Sequence, residues 1–416
     1  MSQGLGPESP AEEFLRSLSE ARSSLAEIGV LPLEPLRSLT LVLTTGCNLN
    51  CAYCYADRRD GRRMQCDVAR DALDLLCRAG YPSPRVFFYG GEPLLEPALM
   101  RRAVEFSESI WSPGSGPRFV VVTNGTLLDD EVTGFCVDHG IRIQLSFDGV
   151  EDAQRDRGPG TFQTLDGFLR RFRRDHPAFF REHLAVKSTL TARNLRHLAE
   201  SIRYILGLGV TEVNVVPMTT HDPDWDSRTD EVLEEQLARV REICVAHWRH
   251  THEFPFTPFG GWQAGEETVQ DSWLMCGLGR AVGLVVDVDG AAAACSGFIQ
   301  SVRSVQNALH GEVMGVAAIG NIRDPDFSGR LAACRDRVRG HPIFNQKMRK
   351  RSSYGVCRDC RFLKTCFVCP NSIAHIPGNN DPHRIPDNQC AFNLALGRQR
   401  ELFERDLRRA AERGGR

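Results

Sequence analysis

Three cysteines, Cys47, Cys51 and Cys54, fall within eight positions of "TTGCNLNCAYCYA" (44–56), directly after the apolar run "LTLVL". Soft thiolates at C-x3-C-x2-C suit three irons of one [4Fe-4S] cluster, because a short loop can wrap a single cube. The fourth iron then stays open, and an open metal position is a place for a substrate or cofactor.

A second cysteine set lies in the last third. Cys276 precedes and Cys295 ends "VVDVDGAAAAC", where Asp289-Gly290 supplies a tight turn between two apolar strands. Cys357, Cys360, Cys366 and Cys369 follow as C-x2-C-x5-C-x2-C, then Cys390. Zinc is an alternative for the middle four, but the five-residue spacer is shorter than a zinc-ribbon gap, and Cys276, Cys295 and Cys390 would be unexplained. Cys66, Cys77, Cys136, Cys244 and Cys334 sit mostly on helical stretches and read as buried structural thiols.

The elements that must hold these residues alternate. Strands are expected at 38–44, 85–90, 118–125, 141–149, 184–191 and 211–218, with amphipathic helical runs between them such as "DVARDALDLLCRA" and "RHLAESIRYILGLG". That alternation predicts an α/β chain with parallel strands in a partial (β/α)6 TIM barrel. The expected divisions are a polar lead-in with one helix (1–36), the barrel (37–220), a helical and loop connection (221–275), a small cysteine-rich domain with a β-hairpin (276–390) and a C-terminal helix (391–416).

Three motifs fall at strand ends, where barrel enzymes place their sites. Gly90, Gly91, Glu92 and Pro93 follow the second strand; the glycines allow close backbone approach to a ligand, and Glu92 can meet a cationic amine. "TNG" at 123–125 and "SFDG" at 146–149 follow the third and fourth.

Composition excludes several classes. The chain of 416 residues has 51 Lys and Arg against 53 Asp and Glu, so no global field suggests nucleic acid. It has neither a secretory start nor an apolar run of membrane-spanning length. The cytoplasm is the expected compartment, with no membrane partner, and its reducing conditions keep fifteen cysteines as thiols.

The loop spacing, with Tyr53 before the last cysteine, resembles the radical S-adenosylmethionine (SAM) superfamily, and the C-terminal cysteines resemble its SPASM extension. One departure is visible, since the family usually has three residues between the third and fourth cysteines of the central group. The resemblance implies that SAM chelates the open iron and is cleaved to a 5'-deoxyadenosyl radical. Gly90 to Pro93 would bind the SAM amino group, while Asn124 belongs to the strand-three motif at the same mouth. Ser146 would meet the SAM carboxylate or ribose, Arg157 and Lys187 would add charge to that carboxylate, and Val216 would pack on adenine. It also implies two auxiliary [4Fe-4S] clusters, one on Cys357, Cys360, Cys366 and Cys390, the other on Cys276, Cys295 and Cys369. An external electron donor such as flavodoxin or ferredoxin is implied.

SPASM members mostly modify peptides or proteins, so a peptide maturase is the leading expectation and a dehydrogenase or epimerase of a small metabolite the alternative. Sulfatase-maturing members carry an Asp after the hairpin cysteine, where Ser296 stands here. That disfavours formylglycine formation, and Asp287, Asp289 and Glu212 are only nearby carboxylates. With ligands beginning at Cys47, no winged-helix leader-binding domain is expected ahead of the barrel. The 219–275 segment, with Phe254, Phe256, Phe259 and Trp262, would either line a substrate groove or pack the domain.

Overall fold

The computed structural model describes residues 36–56, 60–112, 114–260, 283–299 and 308–414. The lead-in to residue 35, Trp262 and Cys276 lie outside them. Six parallel strands stand side by side in chain order: β1 (Ser38–Thr44), β2 (Arg85–Gly90), β3 (Arg118–Thr123), β4 (Arg142–Ser146), β5 (Leu184–Leu190) and β6 (Val213–Pro217). Leu39, Leu41, Val42 and Leu43 of β1 are fully buried. A strand covered on both faces has no polar side to show, which is why it reads as an almost unbroken apolar run.

Helices α1 (Cys66–Arg78), α2 (Pro97–Ile110), α3 (Asp130–Asp138), α4 (Thr161–Asp175) and α5 (Leu198–Gly207) return the chain between strands. In α1, Val68, Ala69, Ala72, Leu73 and Leu76 recur on one face and are buried. This is the partial (β/α)6 barrel.

The C-terminal hairpin, β7 (Gly283–Val286) and β8 (Ala291–Ala293), turns at Gly290, whose φ of +85° lies in the left-handed region. It is not a free-standing layer. β7 pairs in parallel with β1, and β9 (Ala318–Asn321) pairs antiparallel with β8, giving one nine-stranded sheet in the order β6-β5-β4-β3-β2-β1-β7-β8-β9. An open barrel leaves the outer edge of β1 with unpaired backbone groups, and β7 satisfies them.

Helix α6 (Ser227–Thr251) begins at a capping box between Asp226 and Thr229. Helices α7 (Ala308–Ala317), α8 (Phe327–Gly340) and α9 (Pro370–Ala374) precede the long α10 (Asp387–Gly414). Helix α10 starts before the expected boundary at 391, so Cys390 sits on its first turn. Ion pairs Arg241 to Asp406 and Arg398 to Glu234 join α10 to α6. Phe256 and Phe259 are buried, and the Phe259 ring stacks 5.1 Å from that of Phe403, so these two aromatics pack the domain. Phe254 stays half exposed. Cys136, Cys244 and Cys334 are buried, while Cys66 and Cys77 are half-buried. Among the described residues no helix is long and apolar enough to cross a membrane.

Candidate functional site

The three-cysteine loop leaves the C-terminal end of β1 and is held there by neighbouring strand ends. Asn124, after β3, donates from Nδ2 to Asn48 Oδ1 at 2.9 Å and lies 3.8 Å from Cys47 Sγ. Its own Oδ1 accepts from the Thr126 amide and hydroxyl, and the Thr126 hydroxyl accepts from Asn48 Nδ2 at 2.8 Å.

The glycine pair at the end of β2 lets two backbone segments approach closely. A Cβ on Gly90 would stand 2.2 Å from the Thr44 carbonyl oxygen, and one on Gly91 would stand 2.2 Å from that of Gly46. The close approach is to the loop backbone. The Gly91 and Glu92 amides donate to Thr44 and Gly46 carbonyls at 2.9 Å. The Glu92 carboxylate, fully buried, accepts from the Leu94 amide at 3.1 Å, the Thr123 hydroxyl at 2.7 Å and the Asn124 amide at 2.7 Å. These bonds tie β2 to β3, and Pro93 opens a buried turn beside them. Burial outweighs those donors and pushes the Glu92 carboxyl up to about 7.

Asp148 of "SFDG" is the hub that sequence reading missed. It accepts from the Tyr53 hydroxyl at 2.5 Å, from Arg157 Nε at 2.8 Å and Nη2 at 2.9 Å, and from the Thr189 amide at 2.9 Å. Arg157 is thus taken up in a buried bidentate pair, with its guanidinium 5.3 Å from the centre of the Tyr53 ring. The Arg157 carbonyl lies 3.8 Å from Cys51 Sγ, and the Asp156 carbonyl accepts from the Ala52 amide at 2.8 Å. Arg157 therefore braces the loop's far side. The signal was available, because an Asp and an Arg nine positions apart flank a strand-end turn.

Ser146 ends β4 and pairs in register with Lys187 of β5; Val216 stands half-buried near the end of β6. Lys187 feels Cys369 and Cys295 electrostatically, and burial depresses its ammonium despite them. It lies within electrostatic reach of those two thiols. Tyr55 and Tyr89 hydrogen-bond hydroxyl to hydroxyl, and both feel Cys54 and Cys295, so this pair lies between the loop and the hairpin. Ser296 bonds to Tyr89 in the same place. Asp289 pairs with Arg62 at 3.6 Å, Glu212 pairs with Arg142, and Asp287 is buried. A cavity of about 350 Å³ opens at the ends of β5 and β6, bounded by Tyr53, Arg193, Met218, Asp222 and His375.

The described C-terminal thiols sort into two places. Cys357, Cys360, Cys366 and Cys390 line one cavity of about 410 Å³. A short hairpin, β10 (Arg351–Ser352) and β11 (Gly355–Val356), forms its rim, and the Ser352 hydroxyl bonds Cys390 Sγ at 3.1 Å. Lys347 donates to the Cys366 carbonyl at 2.9 Å. Cys295 and Cys369 influence one another elsewhere. Gln389 links Cys369 to the barrel, accepting from the Cys369 amide at 3.3 Å and donating to the Met218 carbonyl at 3.4 Å.

The donor chemistry fits iron-sulfur clusters. Cys357, Cys360, Cys366 and Cys390 bring four soft thiol donors to one cavity of about 410 Å³, a donor set that suits an iron-sulfur cube. Burial pushes the Cys51, Cys357 and Cys369 thiols up to about 11 and Cys366 to about 12. Bare thiolates are therefore disfavoured until a metal's positive charge deprotonates them.

Comparison with known proteins agrees with this arrangement. Residues 41–215 match the Radical SAM superfamily. The matched residues hold the six parallel strands and the three-cysteine loop, and this part of the chain is similar to radical SAM proteins. It is 28% identical over 233 residues to the AdoMet-dependent heme synthase of Methanosarcina barkeri, covering 51% of this chain and 63% of that one. The chain thus spans less than two thirds of the length of the curated relatives it first matches. Among solved structures, anSMEcpe with bound AdoMet superposes with a TM-score of 0.69 at 17% identity, over 91% of this chain and 96% of that one. SuiB of Streptococcus suis bound to precursor peptide SuiA gives 0.55 at 16% identity, over 94% and 84%.

Proposed function

We propose that this protein uses SAM at a [4Fe-4S] cluster on Cys47, Cys51 and Cys54 to abstract hydrogen from a peptide or protein substrate, maturing it by crosslinking, oxidation or epimerisation. When bound and reduced, that cluster supplies the electron that cleaves SAM to a 5'-deoxyadenosyl radical. The observation that carries the reading is the three-thiol loop at the C-terminal end of β1, fastened from β2, β3 and β4. In that frame Asn124 and the Asp148–Arg157 pair hold the loop in one position. Ser146 and Val216 offer a hydroxyl and an apolar wall for SAM at the neighbouring strand ends, and Lys187 offers a cation toward Cys295 and Cys369. Tyr53 and Met218 line the cavity at the strand ends, which in this reading admits substrate to the loop.

Two further clusters belong to the same reading. One sits on Cys357, Cys360, Cys366 and Cys390, and the other on Cys276, Cys295 and Cys369. The fold shared with anSMEcpe and with peptide-bound SuiB supports a peptide substrate. Ser296 at the position after the hairpin cysteine disfavours formylglycine formation. A small-metabolite substrate is the second reading, favoured by a mouth cavity of about 350 Å³, which is the size of a small-ligand site. Anaerobic reconstitution, reduction with SAM, and measurement of 5'-deoxyadenosine with and without peptides encoded beside the gene separate them. Peptide-stimulated cleavage with a peptide product of altered mass or stereochemistry is expected; cleavage indifferent to every peptide supports the metabolite.

A further inference from the structure

The two C-terminal thiol groups are unequal. Cys357, Cys360, Cys366 and Cys390 match the four irons of a cube, whereas the cluster assigned to the hairpin has three cysteines and one iron left over. The polar side chains around Cys295 and Cys369 decide what could meet that iron. Cys369 stands just before α9, and its sulfur takes hydrogen bonds from the Asn371 and Ser372 amides. Cys295 Sγ takes the Gly297 amide at 3.5 Å. The Asn371 carboxamide lies between these two thiol-bearing turns, its nitrogen 3.1 Å and its carbon 3.3 Å from where a Gly297 Cβ would stand. A side chain at 297 would press on it, so the bare glycine makes room.

Asn371 is 2% exposed, and among the described residues its buried Oδ1 has no hydrogen-bond partner. A buried carbonyl oxygen without a donor is costly, and an ion or bound group is one way to satisfy it. The other donors nearby are committed. The Ser372 hydroxyl accepts from Gln389 Nε2 at 2.7 Å, and Gln389 Oε1 accepts from the Cys369 amide at 3.3 Å. Lys187, within electrostatic reach of both thiols, has no lone pair to give as an ammonium. His375 bonds the Asn371 backbone carbonyl through Nδ1 at 2.7 Å and lines the mouth cavity at the ends of β5 and β6.

We propose that Asn371 Oδ1 ligates the iron that the thiols leave open in the cluster held at Cys295 and Cys369. The proposal rests on the reading that these thiols hold a cluster. An amide oxygen is a hard, neutral donor, suited to an iron that carries no thiolate. Two consequences follow for the site. The protein caps the corner, so substrate is not held on this cluster. One negative charge fewer than with four thiolates also makes the cube easier to reduce, which suits it to accept an electron.

The test is pulsed-EPR hyperfine spectroscopy of the reduced, SAM-loaded holoprotein, made with asparagine carrying 13C in its carboxamide, together with iron content. The parent should hold about 12 irons and show a 13C coupling that is lost in Asn371→Asp and Asn371→Leu. Couplings from Asn48 and Asn124, beside the loop cluster, should persist in both variants. Asn371→Asp keeps an oxygen ligand but adds charge, so the cluster's midpoint potential should move to a more negative value. Asn371→Leu uncaps the corner, and mild oxidation should then remove about one iron per chain and leave a [3Fe-4S] signal that the parent lacks. Should the leucine variant fail to fold, the labelled parent and the aspartate variant carry the test alone. Full iron with no coupling lost in either variant overturns the ligand, as does a [3Fe-4S] signal of equal size in the parent. A parent holding only about 8 irons, with none at Cys295 and Cys369, overturns the cluster reading itself.

Discussion

The loop after β1 and the segment around Cys357 to Cys390 hold thiols in opposite ways. The loop is a short excursion from a deep apolar sheet, fixed by Asn124, the Gly90–Gly91 contact and the Asp148–Arg157 pair. The C-terminal thiols sit on turns beside a six-residue hairpin (351–356) and on one helix start, with Lys347, Ser352 and Gln389 as their polar supports. In the first region the fold positions the ligands; in the second, on the proposed reading, a bound cluster would supply much of what an apolar core supplies elsewhere.

Removing iron should sharpen the contrast most. Anaerobic chelation is expected to abolish amide-exchange protection across 345–390 while β1 to β6 stay protected. Equal loss in both regions would refute the contrast. Next in size is Arg157→Ala, which leaves Asp148 buried and unpaired and should cost about 3–5 kcal/mol of barrel stability in denaturant unfolding. Only that variant, and none on the hairpin, should also loosen Tyr53. Gly91→Ala drives a methyl into the Gly46 carbonyl and should cost about 1–3 kcal/mol. Its iron loss should be confined to the SAM-loop cluster.

Smallest is Glu92→Gln, about 1–2 kcal/mol, because an amide cannot accept from all three donors. Glu92 has a carboxyl raised from 4.5 to about 7, so the folded chain keeps a proton that the unfolded chain has released in that window. Its contribution to stability is full below about pH 4.5 and is lost as pH rises through 7. Unfolding measured at pH 6 and 7.5 should show this slope in the parent and a flatter one in the variant.

These contrasts also mark what the sequence made legible. The six strands and the loop thiols are local patterns, an apolar run followed by close-spaced cysteines, and periodicity is enough to find them. The roles of Glu92 and Arg157 depend on which strand end meets which, and register decides that. Glu92 is therefore a brace between β2 and β3, and Arg157 a partner of Asp148. The pairing of β7 with β1 was hidden for the same reason, since hairpin and barrel lie more than two hundred residues apart. The Tyr55–Tyr89 contact joins the three-cysteine loop to the end of β2, where the neighbouring motifs attract attention first.

The most direct test of the three-site arrangement is iron content with Mössbauer spectra, for the parent and for two variants reconstituted anaerobically. The parent should hold about 12 irons as cubes, and either Cys47→Ala with Cys51→Ala and Cys54→Ala, or Cys357→Ala with Cys360→Ala, should hold about 8. SAM cleavage should vanish in the first variant. Zinc in place of the extra iron, or cleavage that survives loss of the loop thiols, would contradict the assignment.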